Sequence, residues 1–431
     1  MLLTLENICK ISYAQIELNG ITVIAGENNT GKSTLGRALF CIFNSFYKID
    51  QQILMERENT IRSILENEIH SITKRFPGRL DIYNMASSIL QKKDIYVNNA
   101  KLLLQDISEM YLREDENFNK HMDDALLMKM PERIIQILSI SDEEIFKKVL
   151  QKKLESEFGG QISNIYHADE SGTITLNIKG EDVEIVIRNN EVVRISNTFS
   201  LNTEAVYIDD PFVLDDLSSK SFFMTMYWHG NGYETHRDHL ELKLIQKNSD
   251  STVKEAINEI VANRKIDSIL QKIDLVCSGE MVNTKRSSLG YQKKNSGEIL
   301  NIKNISSGLK TFVIIKTLLQ NGSLEDNGTI ILDEPEIHLH PEWQLLFAEL
   351  IVLLQKEIGM HILLNTHSPY FLNAIEVYAA KYDIADKCKY YLAENSGDKS
   401  SVTDVSDNIE EIYAKLARPL QNLENERYCN D

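Results

Sequence analysis

The residues best suited to phosphate chemistry lie between Ile21 and Thr34, in the stretch ITVIAGENNTGKST. The turn Gly26-Glu27-Asn28-Asn29-Thr30-Gly31 runs into Lys32-Ser33, which gives the spacing G-x-x-x-x-G-K-S. Glycines there let backbone N–H groups curl around phosphate oxygens with no Cβ in the way. A following helix adds the positive potential of its N-terminus. The Lys32 ammonium can sit on β- and γ-phosphates, and the Ser33 hydroxyl can ligate magnesium. Gly26, Asn28, Asn29, Thr30, Gly31, Lys32, Ser33 and Thr34 are therefore the candidate nucleotide-binding residues. A chance Gly/Ser loop before a helix is the competing reading.

A second set stands three hundred residues on, in Thr329 to Pro335, TIILDEP. Its aliphatic run ends in Asp333-Glu334. A carboxylate at a strand's carboxyl end can hold magnesium directly or through water, and the adjacent Glu334 can polarise an attacking water. Paired acids buried without a cation would repel each other and lose hydration, so the pair favours a metal site over packing. Asp333 joins Ser33 as candidate magnesium ligand, and Glu334 is the candidate catalytic acid–base.

The elements needed to position these groups are legible nearby. Residues 1–25 break at Asn7, Ser12 and Asn19-Gly20, as short strands would, and 21–25 suit a buried strand. An apolar helical pattern follows through about Phe46. Residues 49–158 are rich in Glu, Lys, Ile and Leu, with helical spacing in 51–66, 100–112 and 123–138. Pro77-Gly78 and Pro131 punctuate that stretch, and Ser141-x-x-Glu144 forms a capping box for a last helix. It reads as a packed helical insertion, since no heptad register persists.

Three alternating runs after Gly172, parted by Gly180-Glu181 and Asn189-Asn190, predict a meander. AVYIDD (205–210) returns to a core-like strand. Residues 225–240 carry Trp228, His229, His236 and His239 without acid or cysteine spacing, and read as a polar loop. Helix is expected over 251–276 and a hairpin over 278–303. Ser306-Ser307-Gly308 then opens a helix ending near Gly322. Pro341 starts another to about Lys356, and MHILLNT delivers His367 before a helix at Pro369. The tail 377–431 holds one or two elements and a polar gap at 394–408.

Composition bounds the function. The chain has 431 residues, 42% hydrophobic and 26% charged, as ordinary globular proteins do. MLLTLENICK has neither a basic start nor a long apolar run, so no signal peptide is expected. No apolar stretch approaches the roughly eighteen residues of a membrane span, and no membrane partner is expected. Five cysteines without CxxC fit reduced thiols in a cytoplasmic setting. A net charge of −18 makes a general DNA coater a poor fit. Lys285-Arg286 and Lys293-Lys294 are the local basic candidates, and a solvated loop accounts for them.

GENNTGKST, ISSGLKT, TIILDEPEIHLHPEWQ and LLNTHSP, in that order, resemble the ABC-type ATPase heads of the RecF, SMC and Rad50 group. More narrowly they resemble the standalone AAA-type ATPases that share a head with the OLD-family nucleases. The resemblance covers about 1–48 and 300–376. It implies an α/β fold, an ABC-type P-loop NTPase head with a large, mostly helical insertion and a small β meander, and ATP with Mg2+ as ligands. By the same resemblance Lys32 and Ser33 are the Walker A lysine and magnesium serine, Asp333 the Walker B aspartate and Glu334 the catalytic glutamate. His367 corresponds to the switch histidine that senses the γ-phosphate. Ser306, Ser307 and Gly308 correspond to the signature turn, which in relatives meets the nucleotide of the facing subunit. Leu309 stands where transporter and Rad50 heads carry Gln or Glu, and His340 where ABC proteins carry an aspartate. No chemical step is assigned to His338 or His340.

The implied layout is head over 1–48, helical insertion over 49–158, meander over 159–204, head segment over 205–235, helical and hairpin insertion over 236–299, head over 300–376 and a C-terminal extension over 377–431. That extension shows no glutamate and DxD set of a Toprim nuclease, so no intrinsic nuclease is expected. The resemblance points to an ATPase forming a homodimer or higher homo-oligomer through its heads. It would regulate a separate nuclease or toxin effector in anti-phage defence, with a phage protein or DNA as trigger. The alternatives are a RecF-type DNA-repair or chromosome-maintenance ATPase and a transporter subunit. The large insertion directly after the first helix disfavours the last.

Overall fold

The computed structural model describes residues 1–73, 82–112, 124–167, 170–219, 235–246, 256–284, 289–294 and 296–428. The chain divides into two compact units, Met1–Tyr47 with Leu150–Asp431, and Lys48–Val149.

The first unit is built on β1 (Leu2–Ile8), β2 (Ile11–Glu17) and β3 (Ile21–Gly26), followed by helix α1 (Lys32–Phe46). The second unit holds α2 (Ile49–Thr73), α3 (Ile82–Gln91), α4 (Lys93–Tyr96), α5 (Ala100–Leu112) and α6 (Asp124–Ser139). Next comes α7 (Asp142–Phe158), and the division between units falls inside it at 149/150, not at the expected 158.

The second unit packs Ile61, Leu65, Ala86, Ile89, Leu103, Ile134 and Leu138 into one core. Buried Arg57 donates to the carbonyls of Ile137 (2.8 Å) and Ile140 (2.6 Å) and to Asp142 Oδ1. It thereby satisfies carbonyls that the end of α6 leaves without intrahelical partners. Pro131 lies within α6 and does not end it. The Ser141–Glu144 capping box forms as expected: Glu144 N donates to Ser141 Oγ and Ser141 N to Glu144 Oε2, both at 3.2 Å. Pro77-Gly78 lies outside the described residues.

The first unit continues with β4 (Gly172–Ile178), β5 (Glu181–Arg188), β6 (Glu191–Ile195), β7 (Ala205–Ile208) and α8 (Val213–Ser219). Then come α9 (His236–Ile245), α10 (Ala256–Ile273) and the three-stranded sheet β8 (Gly279–Asn283), β9 (Leu289–Lys293) and β10 (Ile299–Asn301). The closing elements are α11 (Ser307–Gln320), β11 (Thr329–Asp333), α12 (Pro341–Ile358), β12 (His361–Thr366), α13 (Pro369–Lys381), β13 (Cys388–Ser396), β14 (Lys399–Asp404) and α14 (Glu410–Tyr428).

Eleven strands form one sheet in the order β6-β5-β4-β1-β2-β14-β13-β3-β12-β11-β7. The half from β13 to β7 is parallel and buried, as its near-continuous aliphatic runs require. Strand parity separates its two faces. Val206, Ile208, Ile330, Leu332, Ile362 and Leu364 join a core with α11, α12 and α13. Tyr207 and Ile331 point the other way, against Gly36 of α1, where a Cβ would lie 3.0 Å from Ile331. No described helix is long and apolar enough to cross a membrane.

Three expectations change. The meander is no separate piece: β4 pairs antiparallel with β1, so β4–β6 extend the same sheet. The polar gap at 394–408 is largely the β13–β14 hairpin. It was hidden because the apolar residues of β13, Tyr390 to Ala393, precede a polar strand end turned at Gly397 (φ 62°). The stretch 225–240 is helix from His236, under a Thr235–Asp238 capping box; 220–234, with Trp228 and His229, lie outside the described residues.

Candidate nucleotide site

Parallel register brings the candidate residues to one edge. Asp333 pairs with Asn365, Asn365 with Ile24, and Thr366 with Ala25, so the chain leaves β11, β12 and β3 at neighbouring points. The Glu27–Gly31 loop follows β3, Glu334 follows β11 and His367 follows β12. Gly26 also abuts β13: a Cβ there would stand 2.3 Å from the Ala393 carbonyl oxygen. Only glycine allows that approach.

Lys32 is buried, and its ammonium donates to the carbonyls of Gly26 (3.0 Å) and Glu27 (2.9 Å). Glu334 Oε1 lies 3.6 Å from that ammonium and 3.2 Å from His367 Nδ1. Burial pushes the Lys32 pKa down, while Glu334 and then Asp333 push it back up. Glu334 has φ 50°, rare for a residue with a side chain, and its N–H donates to the Asn365 carbonyl at 2.9 Å. A residue held in that conformation at a strand end marks a site whose surroundings over-determine it.

Asp333 accepts at both oxygens, from Asn365 Nδ2 (2.9 Å) and the Tyr207 hydroxyl (2.8 Å). Burial and the neighbouring Asp333 push the Tyr207 pKa well up, so the phenol stays protonated and donates. Glu336 is buried behind this edge and accepts from the Thr366 hydroxyl, which in turn accepts from Ser368 N at 3.0 Å. Burial raises the Glu336 pKa.

A triphosphate and a hard cation fit these donors. Helix α1 has Gly31, φ 87°, as its N-cap, with no side-chain cap and no acid in its first turn; the Thr34 and Leu35 N–H groups donate to the Gly31 carbonyl, and the earlier N–H groups suit an anion. The Thr30 hydroxyl is turned back onto the Glu27 carbonyl (2.8 Å), and Asn28 and Asn29 are exposed on the loop. Ser33 and Thr34 are partly exposed in the first turn of α1. The Ser33 hydroxyl and the Asp333 carboxylate are oxygen donors of the type magnesium takes.

The Ser306-Ser307-Gly308 turn opens α11. Exposed Ser306 is its N-cap, accepting from Leu309 N at 3.3 Å. A Cβ on Gly308 would stand 2.9 Å from the His338 carbonyl oxygen, which accounts for this glycine. The bonds of Ser306 and Ser307 stay within α11, so this turn is not joined to the Lys32–Glu334–His367 cluster by a hydrogen bond among the described residues. Buried Lys310 pairs with Asp215 (2.7 Å) beneath Phe212, and the His338 ring meets Phe212 edge-on. His340 caps α12.

Sequence reading missed Tyr207, Asn365 and Glu336. Each lay inside a stretch singled out for other reasons, and each is a polar residue at or beside the end of an apolar strand. It also missed the partners of His236 and His239. His236 lies between Glu157 and Asp209, and His239 Nε2 is 3.4 Å from Glu204 Oε1. No spacing within 225–240 could reveal these, because the acids come from elsewhere in the chain.

A family described as "AAA domain, putative AbiEii toxin, Type IV TA system" matches residues 21–373. The chain is similar to the "Retron Vc95 probable ATPase" of Vibrio cholerae serotype O1 biovar El Tor, 24% identical over 381 residues, 85% of this chain and 69% of that protein. Among solved structures it is similar to an SMC head bound to the C-winged helix domain of ScpA. The TM-score is 0.44 at 11% identity, covering 95% of this chain and 98% of that one. An Smc head with an extended coiled coil, bound to the C-terminal domain of ScpA derived from Pyrococcus furiosus, gives 0.40 at 12%, covering 99% and 98%.

Proposed function

This chain belongs to the AAA-domain family described as "putative AbiEii toxin, Type IV TA system", and we propose that it binds and hydrolyses ATP as the sensor or regulatory subunit of a bacterial anti-phage defence system. A separate nuclease or toxin effector carries the destructive chemistry. The observation that carries the catalytic part is the convergence of Lys32 and His367 on one oxygen of Glu334, beside Asp333. The retron-associated relative supports the defence setting.

In this reading the Lys32 ammonium exchanges the Gly26 and Glu27 carbonyls for β- and γ-phosphate oxygens, helped by the loop and α1 N–H groups. Ser33 and Asp333 would hold a magnesium ion. When bound, that ion withdraws charge from the phosphates. Glu334 orients the attacking water and accepts its proton, and His367 beside it reports the γ-phosphate. Ser306, Ser307 and Gly308 present an anion cradle to the nucleotide of a second copy, so ATP joins two heads. The helical unit, Lys48–Val149, is left to build a larger assembly in the cytoplasm.

The test is a reconstitution. The purified chain should hydrolyse ATP only with magnesium, and Glu334→Gln should abolish both hydrolysis and protection of cells against phage. Co-expression with the product of an adjacent gene should reveal an effector whose activity depends on the Glu334 state. Stimulation by bare DNA, with no effect on such an effector, would favour the repair alternative. Absence of nucleotide binding would overturn both.

A further inference from the structure

The magnesium-side carboxylate is braced from an unexpected direction. Tyr207 sits on β7, the edge strand of the parallel half, level with Ile331 of β11. Its side chain reaches forward so that the hydroxyl donates 2.8 Å to Asp333 Oδ2, while Asn365 holds Oδ1. The phenol is 1% exposed and has no room to swing. A Cβ on Gly36 would be 3.3 Å from it, Phe40 leans on it at 6.3 Å, and His236 stacks on its face at 4.4 Å and 27°. The edge strand is itself pinned: Asn44 of α1 donates to the Ala205 carbonyl (2.8 Å) and accepts from its N–H (2.7 Å).

His236 is fixed from three sides. Nδ1 is 2.6 Å from Glu157 Oε1, the backbone N–H donates to Glu157 Oε2 at 2.9 Å, and Nε2 is 3.1 Å from Asp209 Oδ2. Arg237 holds Asp209 (3.2 Å), and Arg37 lies 3.8 Å from Glu157. Burial alone would lower the His236 pKa, but the carboxylates of Asp209 and Glu157 facing its two ring nitrogens raise it to about 9. The ring is therefore an imidazolium lying flat on a phenol, an arrangement in which cation and π face attract. A protonated ring offers no lone pair to a metal, and among the described residues no group of three or more His, Cys, Asp or Glu could hold one. The cluster is a clamp.

We propose that Tyr207 is a positioning residue for the Asp333 carboxylate, and that His236, held by Glu157 and Asp209, fixes the phenol in the donating orientation. The proposal rests on the reading of Asp333 as the magnesium-side acid. A donor on Oδ2 and another on Oδ1 set the plane of that carboxylate, as outer partners of metal ligands do. The brace comes from an edge strand, from the first turn of α9 and from the last turn of α7, none of which contributes a candidate ligand.

The test reads metal affinity, not turnover alone. Mn2+ binding to the full chain, with a non-hydrolysable ATP analogue present, is followed by the electron paramagnetic resonance of free Mn2+. Tyr207→Phe should weaken Mn2+ binding at least tenfold, the scale on which loss of an outer partner acts, with metal-free nucleotide affinity within threefold of wild type. The Mg2+ half-saturation of hydrolysis should rise in step. His236→Gln keeps the hydroxyl but frees the ring, and should shift Mn2+ binding threefold or more in the same direction. It carries the test alone if Tyr207→Phe does not fold. Phe347→Leu, in the core of α12, should lose stability without moving the metal affinity. Mn2+ affinity within twofold of wild type in folded Tyr207→Phe, or an equal shift in Phe347→Leu, would overturn the proposal. A shifted affinity in a protein that never hydrolyses ATP would keep it and defeat the hydrolytic reading. Failure of the wild type to bind Mn2+ with nucleotide would end both.

Discussion

His367 Nδ1 stands 3.2 Å from Glu334 Oε1, and the same oxygen is 3.6 Å from Lys32 Nζ. Two strand ends and the start of α1 thus deliver a carboxylate, an imidazole and a cation to one point, with the carboxylate held at a positive φ. That arrangement suits the proposed hydrolysis, in which Glu334 activates water beside Lys32 as the phosphate cation and His367 as the reporter.

Glu334→Gln keeps the shape and removes the charge that would accept a proton. It should still bind MgATP, with hydrolysis lower by about 10²–10⁴-fold. Steady-state phosphate release checks this, and a turnover within threefold of wild type would sink the assignment.

Lys32→Ala should abolish most nucleotide affinity. The buried ammonium already satisfies two loop carbonyls and faces Glu334. Its loss removes the phosphate cation and leaves the acids uncompensated. Calorimetry with MgATP reads the result, and tight, unchanged binding would refute the role.

The Gly26–Ser33 loop and Asp333-Glu334 could be singled out in the sequence because their signal is local: consecutive residues that follow an aliphatic run. The bracing was not. Tyr207 meets Asp333 across 126 positions and His236 meets Glu157 across 79, and a single sequence carries no mark of such pairs. The β13 strand was obscured for another reason. Its polar end extends beyond the buried Tyr390 to Ala393, so alternation failed to mark a strand that nonetheless lies beside β3. Ser141–Glu144 shows the converse, a capping box complete within four residues and formed as read.

His236 also sets a pH dependence of stability. Its folded pKa, about 9, lies above the ordinary value near 6.5. The stability it contributes is complete below the unfolded value and is lost as pH rises through about 9, a change on the order of 1–3 kcal/mol. The facing groups are Glu157 on α7, Asp209 after β7, Arg37 on α1, Arg237 on α9 and the Tyr207 phenol. Lys153, held down to about 8 by burial, acts in the opposite sense over part of that window. The comparison is therefore with His236→Gln, which leaves Lys153 in place. Between pH 7 and 10 the thermal midpoint of wild type should fall more than that of the variant. Parallel curves would show that His236 is not the titrating group.

Within one chain the loop, Asp333, Glu334 and His367 gather at one edge, whereas exposed Ser306 only caps its own helix. A helix start with a hydroxyl and N–H groups is an anion cradle, and its exposure leaves it available to another copy's nucleotide. If so, two inactive variants should complement each other. Lys32→Ala cannot hold the phosphates. Ser306→Arg should be accommodated at an exposed position, with loss of the cap costing about 0.5–2 kcal/mol, but it would obstruct the facing nucleotide. A mixed dimer carries one composite site with intact Lys32 and intact Ser306, so part of the ATPase activity should return on mixing. Subunit exchange confirmed by mass spectrometry, with no recovered hydrolysis, would count against a shared site. Equal specific activity of a strictly monomeric protein at every concentration would reduce Ser306 to a helix cap.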